Sequence, residues 1–170
     1  MSTNIELRTT PGKGEGIFAL KAFIPGETVL VGVLESKAVE NHSHASQLGE
    51  YEFGFHGGLT SKFNHSCDPN CGIRLNSSGG HDFVAMRTIA PQEEATFDYA
   101  MRNYKIEHFH SSCTCGEQIC RDSITGWQDL PQARKDEYQG FVAPYLLEMD
   151  RSMLVSWLPQ ALPGKSRRST

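Results

Sequence analysis

No segment of the 170-residue sequence is apolar for long enough to cross a membrane. A membrane-spanning helix needs about 20 consecutive apolar residues, and residues 1–10 also lack the apolar centre of a signal peptide. We therefore expect an intracellular protein, cytoplasmic or nuclear, with no membrane partner. Strong positive charge is absent too, because 16 Lys and Arg are outnumbered by 20 Asp and Glu. Since binding to nucleic-acid phosphates needs clustered Lys and Arg, this balance predicts no direct nucleic-acid binding.

Cysteine is scarce and odd in number, which argues against the paired framework of a small secreted protein. Of the five cysteines, Cys113, Cys115 and Cys120 share one short segment, and Cys67 and Cys71 lie far from them. In a reducing compartment, clustered thiols indicate a metal site or catalysis more often than disulfides. A tetrahedral structural zinc site needs four ligands, so either Cys67 or Cys71 would complete the three clustered thiolates. One thiol is then left over.

The first two thirds of the chain predict short strands joined by turns, with no helical crossover between them. Residues 28–34 form an apolar, β-branched run that predicts one buried strand. Residues 73–75 and 82–86 predict a hairpin around the polar turn 76–80, and residues 95–99 predict a further strand. The fold class is therefore mainly β.

The last third changes to a helical pattern. Pro131 and Gly140 are placed to begin and end one helix, and Pro144 and Pro159 a second. The second helix carries an apolar stripe at intervals of three and four: Tyr145, Leu146, Met149, Met153, Leu154 and Trp157. We interpret the stripe as packing on the β body. The alternative is a homodimer contact, since Met153 and Trp157 suit protein interfaces.

Four polar motifs lie between these predicted elements, and each taken alone is weak evidence of a function. The segments are 12–17 (GKGEGI), 64–70 (NHSCDPN) and 93–99 (EEATFDY), followed by the three clustered cysteines. A glycine-rich segment is often only a hairpin turn. Residues 64–70 predict an ordered, hydrogen-bonded loop, in which His65 is as readily a buried structural histidine as a functional one. Tyr99, taken alone, fits a core or interface aromatic.

Together and in this order, the four motifs resemble those of the SET-domain lysine methyltransferases, over about residues 5–127. The resemblance implies a fold of small curved β-sheets with a knot-like core. It divides the chain into a SET domain at 1–108, a zinc-binding post-SET segment at 109–127 and C-terminal helices at 128–170. The family transfers methyl groups from S-adenosylmethionine to a lysine side-chain amine of a protein, histones among the targets.

The resemblance also assigns roles to individual residues. Tyr99 matches the catalytic tyrosine, Phe97 is an aromatic of the lysine channel, and Tyr51 is a weaker candidate for a second one. The cofactor-binding residues would be Lys13, Gly14, Glu15, Asn64, His65 and Tyr99. The structural zinc would be held by Cys67, Cys113, Cys115 and Cys120, with Cys71 as the rival to Cys67.

Several departures from the family pattern concern the substrate more than the chemistry. Glu15 stands where an aromatic is common, Gln92 where glycine is usual and Ser61 where arginine is usual, and the segment 51–64 is short. Two alternatives therefore stay open. The chain could methylate a small-molecule amine, or it could be a catalytically silent binding module on the same scaffold.

Overall fold

The computed structural model describes residues 4–41, 45–107 and 112–156. The strands are β1 Ile5–Thr10, β2 Gly14–Ala19, β3 Thr28–Leu30, β4 Leu34–Ala38, β5 Ala45–Gln47, β6 Phe53–His56, β7 Asn64–His65, β8 Cys71–Leu75, β9 His81–Ala85 and β10 Glu94–Phe97. The helices are α1 Gln132–Glu137, α2 Pro144–Ser156 and the 3-10 helices Gly58–Lys62, Tyr99–Met101 and Trp127–Asp129. None of the helices in these ranges is both long enough and apolar enough to cross a membrane.

The larger sheet brings two of the polar motifs side by side. Its strands lie in the order β1-β2-β10-β8-β9-β3, and β7 also pairs with β10. The β10 strand runs parallel to β7, with Thr96 opposite Asn64 and Phe97 opposite His65. It also runs parallel to β8, with Phe97 opposite Cys71. The segments 64–70 and 93–99 are therefore neighbours in space although about 30 residues separate them along the chain.

The prediction of one buried strand over residues 28–34 is wrong. The β3 strand ends at Leu30 in the larger sheet, and β4 begins at Leu34 in a second sheet of order β4-β6-β5. Between them Val31 and Val33 are 60% and 58% exposed. The chain leaves the sheet at Gly32, whose N–H donates to Asp82 Oδ1 at 3.0 Å and whose backbone passes too close to β9 for any side chain. A close approach of two backbones, made possible by glycine, overrides the β-branched pattern.

Other local predictions are confirmed. Strands β8 and β9 form the antiparallel hairpin expected around residues 76–80, where Asn76 Oδ1 accepts the Ser78 N–H at 3.0 Å. The strand predicted at 95–99 is shorter, because Tyr99 begins a 3-10 helix that Asp98 caps by accepting the Ala100 N–H at 3.1 Å. The predicted loop at 64–70 begins with the two-residue strand β7.

The two predicted helices are present, and the second packs on the hydrophobic core. Helix α1 follows Pro131 and ends before Gly140, and α2 begins at Pro144. In α2, Tyr145 and Leu146 are buried, whereas Met153 is 51% exposed. This confirms packing on the β body for the first turn of the stripe. The predicted end at Pro159, Trp157 and the side chain of Leu154 lie outside the described residues, and the homodimer stays a prediction.

One hydrophobic core joins the sheets to the helices. Phe63 stacks on Phe83 with ring centroids 3.7 Å apart, and Phe83 meets the ring of Phe97 edge-on at 5.0 Å. The buried cluster continues into the last third of the described chain through Trp127, Leu130, Tyr138, Val142, Ala143, Tyr145 and Leu146. Because Phe97 lies inside this cluster, the helices and both neighbouring strands fix the position of the tyrosine two residues later.

Candidate active site

The glycine-rich motif forms the turn between β1 and β2 and leaves its backbone open. Gly12 and Gly14 have φ of 74° and 78°, a left-handed conformation that strains other residues. A Cβ atom built at either position would meet no atom within 4 Å. The backbone of this hairpin is therefore accessible to a ligand, with the Lys13 side chain between the two glycines.

Asn64 ties this hairpin to the end of the sheet. Its Nδ2 donates to the Glu15 carbonyl at 3.0 Å and to Glu94 Oε1 at 2.7 Å. Glu94 Oε2 in turn lies 3.3 Å from Lys13 Nζ. Gly16 makes room for this bridge, because a Cβ there would lie 2.4 Å from Glu94 Oε1 and 2.8 Å from Asn64 Nδ2. The hairpin and the strand β10 thus hold one another in position.

His65 lies between Tyr99 and Cys67 and is neutral. Its Nδ1 accepts the Tyr99 backbone N–H at 3.3 Å, and its Nε2 lies 3.4 Å from Cys67 Sγ. Because Nδ1 is an acceptor, the ring proton is on Nε2 and points to the sulfur. Burial lowers the pKa of His65 to about 4, although Asp98 opposes the shift. His65 therefore positions its two neighbours without carrying charge at neutral pH.

Tyr99 follows β10 directly, beside the buried ring of Phe97. Its hydroxyl donates to the Phe63 carbonyl at 3.2 Å, and its ring centroid lies 5.0 Å from that of Phe97. Burial raises the pKa of Tyr99, although Arg102 partly offsets the shift. The phenol is therefore protonated at neutral pH. Since its proton goes to Phe63, the oxygen faces other groups as a hydrogen-bond acceptor.

Four cysteine sulfurs form a cluster of the size that a zinc ion requires. The Sγ atoms of Cys67, Cys113, Cys115 and Cys120 all lie within 4.8 Å of one another. Tetrahedral zinc with Zn–S bonds near 2.3 Å places its sulfurs about 3.8 Å apart. The Cys67 and Cys113 sulfurs are 3.9 Å apart, and the backbone N–H of Arg121 donates to Cys67 Sγ at 3.4 Å. The donor set fits a structural zinc ion.

Cys71 is excluded from this cluster by its place in the core. Its side chain is fully buried, opposite Phe97 in the sheet, and burial raises the pKa of its thiol. By contrast, hydrogen bonds from the backbone of Cys67 and Glu117 outweigh burial at Cys115 and lower the pKa of that thiol to about 7. Cys115 therefore reaches the thiolate form that a metal requires near neutral pH, whereas Cys71 stays an apolar core residue.

Asp98 connects the cysteine segment and the helices to Tyr99, and the sequence alone did not single it out. Its fully buried carboxylate accepts hydrogen bonds from Ala100 N at 3.1 Å and from the Tyr138 hydroxyl at 3.1 Å. Arg121, directly after the last cysteine, places Nη1 2.7 Å from Asp98 Oδ2. The only sequence signals were the position of Asp98 within the motif 93–99 and that of Arg121 beside Cys120. Their pairing depends on the fold.

A depression of about 240 Å³ joins the predicted motifs. Its lining residues are Gly12, Lys13, Asn64, His65, Tyr99, Ser112, Cys113, Thr114, Cys115 and Ile124. Gly14 and Glu15 adjoin it on the β1–β2 hairpin, and Phe97 lies behind Tyr99. A larger apolar groove of about 610 Å³ near Val31 and Leu59 has Glu35 as the one titratable residue among its described lining residues. The smaller depression is therefore the candidate active site.

The structure does not bring Tyr51 to this depression. Tyr51 is 82% exposed and borders a separate depression with Tyr104 and Met149. Its predicted place in the channel therefore receives no support from its position. A residue that the sequence did not single out, Arg102, lies nearer to the site, with its guanidinium carbon 6.0 Å from the centre of the Tyr99 ring.

Sequence comparison relates this arrangement to known proteins. Residues 14–100 match the family model described as SET domain. Histone-lysine N-methyltransferase ATXR3 of Arabidopsis thaliana is 34% identical over 103 residues, covering 56% of this chain and 4% of the relative. The H3 lysine-4-specific histone-lysine N-methyltransferase of Saccharomyces cerevisiae is 37% identical over 68 residues, covering 38% of this chain and 6% of the relative. The chain thus spans less than a tenth of the length of either relative.

Solved structures share the fold. The crystal structure of KRYPTONITE in complex with mCHG DNA and SAH aligns with a TM-score of 0.58 and 21% identity, covering 72% of this chain and 29% of that one. A second structure of KRYPTONITE, with mCHH DNA, H3(1-15) peptide and SAH, gives a TM-score of 0.55 and 23% identity over 70% of this chain and 29% of that one. The likeness confirms the predicted mainly β fold of small curved sheets.

Proposed function

Because the chain belongs to the SET-domain family, we propose that it transfers a methyl group from S-adenosylmethionine to the side-chain amine of a protein lysine. The observation that supports this most directly is the convergence on one depression of the glycine hairpin, Asn64, His65, Tyr99 and the cysteine segment. These elements come from four separated parts of the sequence. A scaffold without catalysis would not require them to share a cavity.

The residues around the depression fit the cofactor. The open backbone of the β1–β2 hairpin at Gly12 and Gly14 provides N–H and carbonyl groups for it, and Lys13 provides a cation for its carboxylate. Asn64 and His65 line the same depression. Bound there, S-adenosylmethionine supplies an electrophilic methyl: the amine lone pair forms the new N–C bond while the C–S bond breaks and its electron pair stays on sulfur.

Residues of the chain itself favour the unprotonated form of the substrate lysine and orient its amine. A free lysine amine has a pKa near 10.4 and is almost fully protonated at neutral pH, so it cannot attack until its proton passes to water. Burial against the ring of Tyr99, which Phe97 supports from behind, disfavours the charged form. The Tyr99 oxygen, an acceptor because its own proton goes to Phe63, orients an amine N–H and aligns the lone pair. Orientation of this kind accounts for several kcal/mol of a typical barrier.

We propose a histone as the protein substrate. Two curated relatives are named as histone-lysine methyltransferases, and one solved structure of the same fold holds an H3 peptide. The net charge of −4 is compatible with a basic tail. A histone substrate would place the protein in the nucleus. A small-molecule amine is the second candidate, favoured by the short segment between Tyr51 and Asn64.

We also propose the division into a SET domain at 1–108, a post-SET zinc segment at 109–127 and a helical part at 128–170. The four-cysteine cluster supports the middle segment, since three of its members lie there. In this arrangement zinc is structural, held by Cys67, Cys113, Cys115 and Cys120, and takes no part in methyl transfer.

Radiolabelled S-adenosylmethionine offered to core histones and to a cell lysate tests the proposal. We expect label on a protein band, a loss of about 100-fold or more in Tyr99→Phe, and no loss in Tyr104→Phe. Tyr104 is the matched control because its hydroxyl donates to Asp150 Oδ1 at 3.2 Å, away from Tyr99. Cofactor binding without protein labelling would favour the small-molecule amine. Absence of both binding and labelling would overturn the proposal in favour of a silent module.

A further inference from the structure

Arg102 is a buried cation without an acidic partner. It is 6% exposed, and its Nε has no hydrogen-bond partner. All 20 Asp and Glu residues lie in the part of the chain that the structure describes, and none has a carboxylate oxygen within 4.0 Å of the Arg102 guanidinium. The contrast with Arg121 is direct, because that guanidinium lies 2.7 Å from the buried carboxylate of Asp98. Burying an unpaired charge lowers the free energy of unfolding, so a function that needs the charge would explain its presence.

The groups that face Arg102 are neutral rings. Its guanidinium carbon lies 4.9 Å from the centre of the Phe97 ring and 6.0 Å from that of Tyr99. Of the residues that the structure describes, the titratable groups around it are Tyr99, Tyr145 of α2, His56 of β6 and His81 of β9. Burial keeps both histidines neutral, and Arg102 adds to that effect. In the part of the chain that the structure describes, no counter-ion therefore lies beside the positive charge.

The fold holds Arg102 in place through its backbone. Its N–H donates to the Tyr99 carbonyl at 3.3 Å, and its carbonyl accepts the Tyr145 hydroxyl at 2.6 Å. The guanidinium then lies over the rings of Phe97, the last residue of β10, and of Tyr99, two residues later. Cation–π contact partly replaces the missing counter-ion, and it leaves the full positive charge at the back of the candidate active site.

We propose that Arg102 is a positioning residue that favours the unprotonated form of the substrate amine held at Tyr99. This inference rests on the proposed function. A like charge in a poorly screened site disfavours an ammonium group, and the repulsion is relieved when the amine passes its proton to water. Among the described residues, the other titratable groups that act on Tyr99 are His65, whose Nδ1 accepts the Tyr99 N–H and so carries no proton, and Glu94, which pairs with Lys13. Within this described set, Arg102 carries a charge that no counter-ion compensates.

The test is the pH dependence of kcat with core histones, from pH 7 to pH 10.5, for the unaltered protein and Arg102→Met. Removing the charge should raise the apparent pKa of the kcat profile by about one unit. The variant should therefore lose about tenfold in kcat at pH 7.5 and almost nothing at pH 10.5. Arg102→Lys, which keeps the charge, should restore the original profile. Arg102→Gln carries the same test if the Met variant fails to fold.

A second readout needs no turnover. The phenol carbon of Tyr99, followed by NMR in a pH titration, should show a higher pKa in Arg102→Met than in the unaltered protein, because the nearby cation favours the phenolate.

The outcomes separate this inference from the proposed function. Loss of kcat by the same factor at every pH, with the Tyr99 titration unchanged, would assign Arg102 a packing role and overturn the inference. If the unaltered protein labels no protein, the proposed function fails, and the inference fails with it. A shifted profile that Arg102→Lys restores would support both.

Discussion

Arg121 forms a two-contact ion pair with the carboxylate of Asp98, with Nη1 2.7 Å from Oδ2 and Nη2 donating to Oδ1 at 3.0 Å. Arg121 follows Cys120 directly, and its backbone N–H also donates to the sulfur of Cys67. Asp98 directly precedes Tyr99 and accepts a hydrogen bond from Tyr138 of the helical part. One ion pair therefore connects the cysteine cluster, the helices and the proposed catalytic tyrosine.

The first prediction concerns the strength of this pair. Replacing Arg121 with Met leaves the Asp98 charge buried without its cation, which should lower the free energy of unfolding by about 3 kcal/mol. Urea unfolding followed by circular dichroism measures the change. Arg134→Met is the control, because Arg134 pairs with the exposed Glu137 and should cost less than about 1 kcal/mol. Equal losses in the two variants would show that the buried pair contributes no more to the free energy of unfolding than the exposed pair.

The second prediction separates the zinc ligand from its rival. Cys67→Ser should lose the bound zinc, since its sulfur belongs to the four-cysteine cluster. Cys71→Ala should keep zinc at one ion per chain, because Cys71 is buried in the core away from that cluster. Metal content of the purified proteins by mass spectrometry decides between them. Loss of zinc in Cys71→Ala with retention in Cys67→Ser would reverse the assignment.

The sequence predicted those parts of the structure that depend on neighbouring residues. The hairpin around 76–80, the helix starts at Pro131 and Pro144 and the three clustered cysteines all follow from local patterns. It did not predict the break at Gly32, which depends on the approach of β9. Nor did it predict the partners of Asp98 and Arg102. Whether a charged side chain is paired or unpaired depends on which residues the fold places beside it, and local sequence patterns do not contain that information.

The third prediction concerns backbone strain at Gln92, where the resemblance to the family predicts glycine. Gln92 has φ of 74°, in the left-handed region that disfavours residues with a Cβ. Gln92→Gly should raise the free energy of unfolding by about 1 kcal/mol, seen as a higher Tm. Gln92→Ala is the control, because it also loses the contact with Arg8 but keeps the strain. Equal Tm changes in the two variants would contradict this account.

The fourth prediction is a loss of stability in acid from the stacked pair His56 and His81. Their ring centroids are 4.7 Å apart, and burial lowers the pKa of His56 to about 4 and that of His81 well below its ordinary value. An unfolded histidine has a pKa near 6.5, so below that pH the unfolded chain binds more protons than the folded one. Stability should therefore be constant above about pH 7.5 and fall towards pH 4, by about 2 kcal/mol for each histidine at pH 5.

His81→Phe isolates this contribution from the zinc thiolates, which also gain protons in acid. The variant keeps an aromatic ring between His56 and Tyr145, so the packing of the core is largely preserved. The free energy of unfolding is measured at pH 8 and at pH 5 for both proteins. Because the variant has one buried histidine fewer, its loss between the two pH values should be smaller by about 2 kcal/mol. If both proteins lose the same free energy of unfolding between pH 8 and pH 5, His81 is already charged at pH 5 in the folded state. The conclusion that His56 and His81 form a neutral pair near Arg102 would then be wrong.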